Sequence, residues 1–438
     1  MSFKNTDIGL IPSEWDFDTI GDSLYIKGRI GWKGLKKSEY IDRSDYRIIN
    51  GSNVVNNNID WFGCGYISEE RYEESPEIML KPNDIVMTKD GTIGKLAIIR
   101  SLEQKTTVAS GLFVIRVEDN SIDVDYLYYY FSSFYFKELV KSRIEGSVIP
   151  HLYQKDLVAL KLPLPDLSEQ KAISKVLRTL DDKIDVNNQI NKTLENMAQE
   201  IFKQWFVDFE FPNEDGESYK SSGGEMVESE LGLIPKGWEV ASLYDIADYI
   251  NGTSFKKNEV NEFEGIPIIK IVEIKNGYSK STSFYNGTTN KAKKYYLRKR
   301  DILFSWSGNP ETSIDIFIWS KEQGILNQHI FKVEPYDYSK SYIYFLLKNF
   351  KSVFMDIASN KQTTGLGHVT VADLKRLKTP IPNEEILSEF IKISDVIIEK
   401  IFNNMQEIET LQSLRDSLLP KLLSGEIRVP LDEEGVVS

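Results

Sequence analysis

The stretch LPDLSEQKAISKVLRTLDDKIDVNNQINKTLENMAQEIFKQWFVDFEF, from Leu164 to Phe211, decides the fold of this chain. Prolines at its start exclude a helix before it. Asp166 is placed to cap a helix, and Glu169 three residues later completes the pattern of a capping box. The sequence therefore predicts one long helix that ends before Pro212.

Core positions of a heptad repeat run through this helix. One series is Ile173, Leu180, Asn187, Leu194 and Ile201, and the other is Leu177, Ile184, Asn191, Ala198 and Trp205. The pattern predicts a coiled-coil seam of about forty residues, which at 1.5 Å per residue spans roughly 60 Å. A seam of that length exceeds what one globular domain needs for its own core.

The same pattern returns 217 positions later without a gap, so that His151 meets His368 and Asn187 meets Asn404. Further identities at this register are Asp156 with Asp373, Leu157 with Leu374, Lys161 with Lys378, Pro163 with Pro380, Pro165 with Pro382, Ile184 with Ile401 and Leu194 with Leu411. Such a run is not expected by chance, and the period is too long for a solenoid. The chain is therefore predicted to be a tandem duplication.

We expect an α+β fold in which two similar modules of mixed strands and short helices are joined by two long helices. The helices should form an antiparallel coiled coil with pseudo-two-fold symmetry. The expected boundaries are 1–165 for module 1, 166–211 for the central helix, 212–230 for a flexible acidic linker, 231–382 for module 2, 383–425 for the distal helix and 426–438 for an acidic tail.

Composition narrows the class of protein. The start lacks a signal-peptide pattern and no run approaches eighteen apolar residues, so a cytoplasmic protein without membrane contact is expected. One cysteine, Cys64, excludes an internal disulfide and is expected to be a packed thiol. Three histidines without cysteine pairs give no zinc spacing, and no metal site is expected.

The net charge of -13 is unevenly distributed. Most of the excess negative charge lies in 208–230 and 426–438, and the remainder is close to neutral. Basic clusters occur in both modules, at 27–37 in module 1 and at 256–257 and 291–300 in module 2. Because phosphate binding depends on local patches, the acidic total does not exclude a nucleic-acid partner. A solvated face is the alternative interpretation of each cluster alone.

Catalytic motifs are incomplete. DGTIGK, from Asp90, lacks the four-residue gap of an ATP-binding phosphate loop. Asn309 and Pro310 begin like the tetrapeptide of amino-methyltransferases, but Glu311 and Thr312 replace the proline and aromatic that it needs. The aromatic helices near 125–141 and 341–356 have core spacing and are interpreted as core rather than as a platform for bases. No catalytic residue is predicted.

The chain resembles the DNA sequence-specificity subunits of type I restriction-modification systems. The resemblance lies in GLIPSEW from Gly9, ELGLIPKGWEV from Glu230, DGTIGKLA from Asp90, LPLPDLSEQKAISKVLRTLDDKI from Leu162 and LRDSLLPKLLSGEIRV from Leu414, and covers essentially the whole chain. Asn309, Pro310 and Glu311 depart from it by replacing the usual small turn in module 2.

The resemblance implies a noncatalytic subunit with two target-recognition domains that read a bipartite, asymmetric site in double-stranded DNA. Two methylation subunits would bring S-adenosylmethionine, and restriction subunits would bring ATP and Mg. This chain would bind no cofactor. Independently, each long helix carries apolar residues outside its seam, which predicts that partner helices cover them. Those residues are Val176, Ile190, Met197, Phe202, Phe206, Ile393, Phe402, Leu414, Leu419 and Leu423.

Candidate DNA contacts lie in polar loops between the predicted strands. They are Lys33, Lys36, Lys89, Arg143 and Ser147 in module 1, and Lys256, Lys270, Trp306, Gln362 and Thr363 in module 2. Asn187 and Asn404 occupy equivalent core positions at the helix midpoints, where a symmetric antiparallel pair would bring them face to face and fix the register.

Three alternatives remain at this point. The chain could serve a methyltransferase-only enzyme, it could be the specificity part of a fused restriction-methylation enzyme, or it could be a coiled-coil scaffold that binds only protein. Binding of labelled S-adenosylmethionine by the purified chain alone would favour a fused methyltransferase-nuclease in which this chain itself reacts. Duplex binding together with a methylation partner would exclude the protein-only scaffold.

Overall fold

The structure, a computed structural model, describes residues 2–29, 34–55, 57–144, 151–279, 281–362 and 366–430, without the side chains of 37, 143 and 144. It divides into two compact units: unit 1 contains 1–184 and 409–438, and unit 2 contains 185–408. Module 1 lies in unit 1 and all of module 2 in unit 2, while both long helices contribute to each unit.

Unit 1 begins with a series of short strands, and its described residues form four α-helices before the first long one. Its strands are β1 Phe3–Thr6, β2 Gly9–Pro12, β3 Asp16–Thr19, β4 Leu24–Gly28, β5 Tyr46–Ile49, β6 Val54–Val55, β7 Asn58–Ile59, β8 Gly65–Tyr66, β9 Ile85–Thr88, β10 Leu96–Ile98, β11 Lys105–Val108, β12 Leu112–Val117 and β13 Lys161–Leu164. Its helices are α1 Glu69–Glu73, α2 Val124–Ser132, α3 Phe134–Ile144, α4 Gln154–Val158 and the start of α5 Leu167–Phe206.

Two sheets form the centre of module 1. One has the order β10-β9-β12-β4 and is antiparallel throughout, and the other has the order β11-β5-β8 with β11 parallel to β5. Apolar residues of the first sheet pack with the aromatic helices α2 and α3 in one core. Tyr126 and Tyr130 are almost fully buried there, so these aromatics are core residues as predicted.

Unit 2 repeats this plan. Its strands are β14 Met226–Ser229, β15 Gly232–Pro235, β16 Glu239–Ser242, β17 Ala247–Asn251, β18 Val260–Asn261, β19 Ile266–Ile269, β20 Phe284–Tyr285, β21 Tyr296–Leu297, β22 Ile302–Ser305, β23 Ser307–Gly308, β24 Asp315–Ile318, β25 Gly324–Leu326, β26 Ile330–Pro335, β27 Gly367–His368 and β28 Lys378–Ile381. Its helices are α6 Ile271–Asn276, α7 Pro310–Ser313, α8 Lys340–Asn349, α9 Lys351–Asn360, α10 Val371–Arg376 and most of α11 Glu384–Leu423, with the end of α5.

The sheets of the two modules have the same topology at their centres. In module 2 the order is β17-β26-β22-β24 in one sheet, and β25 runs parallel to β19 in the other. The strands β4, β9 and β12 therefore correspond to β17, β22 and β26, and the pair β5 and β11 corresponds to β19 and β25. The predicted duplication and the α+β fold class are confirmed.

The seam predicted on the first long helix is confirmed residue by residue, because none of its ten members is exposed. The helix starts at Leu167, where the backbone N–H of Glu169 donates to the carboxylate of Asp166 at 2.9 Å. The Glu169 side chain does not close the predicted capping box. It accepts instead from the indole N–H of Trp15 at 3.0 Å, and Arg428 pairs with it.

The two long helices run antiparallel within each unit. In unit 1, Asp181 of α5 pairs with Arg415 of α11 at 2.6 Å, while Ile173 and Leu177 share a core with Leu422 and Leu423. In unit 2, Asn187 hydrogen-bonds Glu407 at 2.9 Å and Asn191 bonds Asn404 at 2.8 Å. Residue numbers thus rise along one helix as they fall along the other.

The structure corrects the predicted flexible linker at 212–230. Its last part is strand β14, which pairs with β15 in a hairpin equivalent to β1 and β2 of module 1. The same hydroxyl contact closes both turns: Thr6 donates to the carbonyl of Gly9, and Ser229 to that of Gly232. The acidic composition of 212–230 is typical of a flexible linker, whereas strand β14 forms because it pairs with β15. Module 2 therefore starts near Met226 rather than at 231.

Candidate nucleic-acid interface

In module 1, the ends of several strands meet at one edge. The register pairs Phe113 with Gly28, at the end of β4, and Leu112 with Thr88, at the end of β9. The parallel strands β5 and β11 end beside each other, since the N–H of Ala109 donates to the carbonyl of Ile49 at 2.9 Å. We call this set of loops the strand-end edge of module 1: residues 28–29, 49–51, 88–94 and 109–111.

Lys89 lies in this edge, directly after β9, and its side chain is half-buried. The ammonium nitrogen is 5.0 Å from the centroid of the Phe113 ring. Burial lowers the pKa of Lys89, with Asp90 opposing the shift. A Cβ at position 28 would lie 3.0 Å from the ammonium nitrogen, so a larger residue there would press on the lysine side chain. The lysine predicted from the turn rim therefore lies between Gly28 and Phe113.

The next residue, Asp90, ties a distant segment to this edge. Its carboxylate contacts Nδ1 of His151, and the N–H of Leu152 donates to the carbonyl of Lys89 at 3.1 Å. In module 2 the equivalent His368 pairs with Ser307, in β27 and β23. Both histidines thus fasten the same segment to the same turn. The match of His151 with His368 in the sequence repeat thus corresponds to an equivalent position in the two folds.

The strand-end edge of module 2 consists of 251–253, 269–270, 305–309 and 326–329. Trp306 takes the place of Lys89, one residue after the strand. Its ring stacks on Phe331 with centroids 5.4 Å apart and planes at 28°, and its indole N–H donates to the side chain of Asn251 at 3.1 Å. Sequence reasoning did not find Asn251, because the bond joins residues from separate strands.

The turns themselves differ. In module 1 the hydroxyl of Thr88 donates to the carbonyl of Thr92 and accepts from the N–H of Lys95. In module 2 the departure at 309–311 is a one-turn helix, α7, whose N-terminal N–H groups are capped by the Asn309 side chain. Ser305, equivalent to Thr88, is buried and its hydroxyl finds no partner among the described residues.

Other predicted contacts lie around these edges. Lys36 is exposed, and its loop is joined to the edge by a 2.8 Å hydrogen bond from Tyr40 to Asn50. Lys256 is exposed and Lys270 half-buried, each before a helical turn whose glutamate accepts its backbone N–H. Gln362 is exposed, just after α9. Lys33, Ser147, Thr363 and the side chain of Arg143 lie outside the described residues.

The asparagines predicted to set the helix register are both buried, at 1% and 2% exposure. They do not hydrogen-bond each other. The amide of Asn187 donates to Glu407, and that of Asn404 to Asn191, each about one turn from the equivalent asparagine. The predicted direct pair is therefore replaced by two separate hydrogen bonds across the helix pair.

Within the described part of the chain, no group of three or more histidine, cysteine or acidic side chains is placed to hold a metal ion. No helix among the described residues combines the length and apolar character needed to cross a membrane. Cys64 is buried, as expected for a packed thiol, and burial raises its pKa to about 11.

Comparison with known proteins gives consistent matches. The family model of the type I restriction modification DNA specificity domain matches twice, at 12–196 and 235–415. The MjaIX specificity subunit of a type I restriction enzyme from Methanocaldococcus jannaschii is 30% identical over 98% of this chain and 96% of its own. The HindI specificity subunit from Haemophilus influenzae is 26% identical over 95% of this chain and 100% of its own.

The fold has a counterpart among solved structures. The crystal structure of the S subunit of a type I restriction-modification system from M. genitalium has a TM-score of 0.52 at 15% identity, and covers 97% of this chain and 98% of the other. At that identity the likeness concerns the fold alone. The two repeats at 12–196 and 235–415, together with the near full-length relatives, show that this chain belongs to the type I restriction-modification DNA specificity family.

Proposed function

We propose that this chain is the noncatalytic DNA-recognition subunit of a cytoplasmic type I restriction-modification complex. Each module would read one half of a bipartite, asymmetric site in double-stranded DNA. The observation that carries the proposal is the strand-end edge, which recurs in both modules with the same strands but with different side chains. Two similar frames with different surfaces are what an asymmetric two-part site requires.

The long helices would set the distance between the half-sites and bind two methylation subunits. Of the apolar residues predicted to be covered by partner helices, half are instead buried within their own unit, for example Phe202, Phe206 and Phe402. On α5, however, Val186, Ile190 and Met197 remain 37–52% exposed. At 100° per residue they fall within about 40° of one another, so they form one stripe. This stripe is the contact surface that we propose for a partner helix.

In this proposal the chemistry belongs to the partners. Methylation subunits would bind S-adenosylmethionine, and restriction subunits, where present, would bind ATP and Mg. The support in this chain is the incomplete methyltransferase tetrapeptide at Asn309, whose side chain caps α7. An asparagine engaged in a helix cap is not free to bind an extrahelical base.

Exchange of one module tests the proposal. Residues 226–382 would be replaced by the matching segment of a relative with a different site, and adenine methylation would be mapped by sequencing the host genome. We expect one new half-site beside an unchanged half at unchanged spacing, because base contacts are local and add roughly independently. A change in both halves, or a new spacing with the helices intact, would contradict the model.

A matched exchange strengthens the test. Replacing 231–382 instead splits the β14–β15 hairpin between the two parents, since β14 spans Met226–Ser229. We expect this chimera to have the same specificity as the first and lower yield of folded protein. If the complex of the chain with its methylation subunits bound no duplex at all, the protein-only scaffold would be favoured.

A further inference from the structure

One position of the strand-end edge has a different chemical character in each module. Strand register defines it: Thr88 pairs with Leu112 and Ser305 with Ile330, so the residues that follow, Lys89 and Trp306, are equivalent. The register likewise makes Gly28 equivalent to Asn251, and Phe113 to Phe331. The two modules thus place Lys, Gly and Phe in one case, and Trp, Asn and Phe in the other, at the same three points.

In module 1 these residues hold the half-buried cation of Lys89. The ammonium group of Lys89 lies over the Phe113 ring and against Gly28. Among the described residues, no carboxylate lies within ion-pair distance of it, and the nearby Asp90 is engaged by His151. Burying a cation without an anionic partner is unfavourable. Such an arrangement is typical of a group kept ready for a ligand.

The ligand must supply hydrogen-bond acceptors, because a lysine side chain has three donors and no acceptor. In duplex DNA the choices are phosphate oxygens and base edges. A phosphate contact needs only an exposed, mobile cation, as Lys36 provides. Lys89 is instead held in place by packing, which suits a directional contact. Among the bases, guanine presents two adjacent acceptors, O6 and N7, in the major groove.

In module 2 the equivalent position, Trp306, has no hydrogen-bond donor left for a ligand. The single donor of Trp306 is its indole N–H, and Asn251 accepts it. One face of the indole is covered by Phe331. What remains is apolar ring surface, which has no donor for a guanine edge.

We propose that position 89 of module 1 and position 306 of module 2 determine specificity, with Lys89 donating to O6 and N7 of a guanine in one half-site and Trp306 supplying no such contact in the other. This inference rests on the proposed function and names one base that module 1 would recognise. The half-site read by module 1 then contains at least one guanine whose N7 contributes to binding.

The experiment uses the complex of the full chain with its methylation subunits and duplexes that carry the site methylated in the host. The half read by module 1 is the one that module exchange leaves unchanged. Each guanine in it is replaced in turn by 7-deazaguanine, which lacks N7. We expect one replacement to weaken binding on the order of tenfold, the loss typical of a good base contact.

Three variants separate a base contact from a phosphate contact. Lys89→Met retains the stem over Phe113 but has no donor, so it should bind the unmodified and deaza duplexes equally. Lys89→Arg should retain the preference for guanine, and it keeps the test available if the methionine variant does not fold. Lys36→Met is the matched control: it should weaken all duplexes alike, reduce the salt slope by about one, and retain the deaza effect.

Several results would overturn the inference. They are a module 1 half-site without guanine, equal tolerance of deazaguanine at every position by the wild-type complex, or a uniform loss across all duplexes with Lys89→Met. In each of these cases a bipartite site is still read and the proposed function stands. A wild-type complex without any sequence preference would instead overturn both.

Discussion

The same pair of long helices is held by different kinds of interaction in the two units. In unit 1 the polar links are ionic, with Asp181 paired to Arg415 and buried Glu169 paired to Arg428. In unit 2 the centre is aromatic: the Phe390 ring contacts those of Phe202, Trp205, Phe206, Tyr342 and Phe345. The repeat therefore preserved the geometry of the helices while the interactions that hold them diverged.

The tryptophan that opens each module shows the same difference. In unit 1 the guanidinium group of Arg428 lies over the ring of Trp15, 5.5 Å from its centroid. In unit 2 Phe211 stacks on Trp238 at 5.3 Å with planes at 19°. Arg428 and Phe211 are 217 positions apart. A position that needs only a flat group over an indole accepts either a cation or a ring.

The largest effect is expected from the aromatic centre. Phe390→Ala should lower the free energy of unfolding by about 3–5 kcal/mol, since it leaves a cavity among rings that cannot close it. Urea denaturation would measure the loss. Phe390→Leu is the matched control and should cost about 1–2 kcal/mol by the smaller volume removed. If Phe390→Ala cost no more than Phe390→Leu, the aromatic cluster would not be the main support of unit 2.

A smaller effect is expected from the ionic link of unit 1. Arg428→Ala should cost about 2–3 kcal/mol, because it leaves the Glu169 carboxylate, only 4% exposed, with the indole N–H of Trp15 as its remaining partner. Unfolding should be followed by Trp fluorescence. The double variant Glu169→Leu with Arg428→Met should recover most of the loss, since it removes both charges. A double variant as unstable as Arg428→Ala would show that packing, rather than charge, is responsible.

The buried amides of unit 2 should have an effect of opposite sign. Changing both Asn191 and Asn404 to leucine is expected to stabilise the chain by about 1 kcal/mol, because both partners of a partly buried hydrogen bond are removed together. Asn404→Leu alone should destabilise it by a similar amount, since Asn191 loses its donor.

Register is the second measurement on these variants. Polar core residues restrict how helices align, so the double leucine variant should self-associate or methylate sites with altered spacing. Light scattering and methylation mapping would detect these outcomes. Leucine at both Asn187 and Glu407 provides the corresponding test of the other hydrogen bond, which joins these two residues. Unchanged stability together with unchanged methylation would remove the register hypothesis for both positions.

A charge in unit 2 that lies outside the helix pair should stabilise the fold in a pH-dependent way. Burial alone would raise the pKa of Asp373, but hydrogen bonds from Lys361 and Thr370 lower it to about 2. An unfolded aspartate titrates near ~3.9. The stability that Asp373 provides is therefore complete above pH ~4 and is lost as the pH falls through about 2.

The pH dependence can be isolated by comparison with Asp373→Asn. The difference in urea midpoint between wild type and this variant should shrink between pH 5 and pH 2. Lys361→Met should reduce the pH dependence without abolishing it, because the Thr370 contacts remain. A difference that stays constant over this range would mean that the carboxylate contributes through shape and capping alone.

Much of the fold follows from local patterns in the sequence. The heptad seam, the Asp166 cap and the buried tryptophans Trp15 and Trp238 depend on residues close together in the chain or on strong burial preferences. Strand β14 does not, because the four residues Met226–Ser229 are recognisable as a strand only by their pairing with GLIP of β15. Likewise, 271–274 follows a strand pattern but forms α6, where the Glu273 side chain accepts the N–H of Lys270.

The candidate interface was predictable at the level of loops rather than of contacts. Lys89 and Trp306 were identified because the turn after each strand is polar or aromatic. Their surroundings depend on pairing between distant strands: Gly28 is 61 positions from Lys89, and Asn251 is 55 from Trp306. No local pattern specifies such a partner. For the same reason, the indole N–H bond that distinguishes the two modules required the structure.

Unit 1 is discontinuous in the chain whereas unit 2 is continuous, and this has a consequence for the order of folding during translation. All of unit 2 has been synthesised before residues 409–430 are made. Until then Ile173 and Leu177 lack Leu419, Leu422 and Leu423, and Glu169 lacks Arg428. The module that is synthesised first should therefore be completed last. A chain that ended near 408 would leave that apolar surface exposed. We therefore expect truncated chains to aggregate, because exposed apolar surface promotes aggregation.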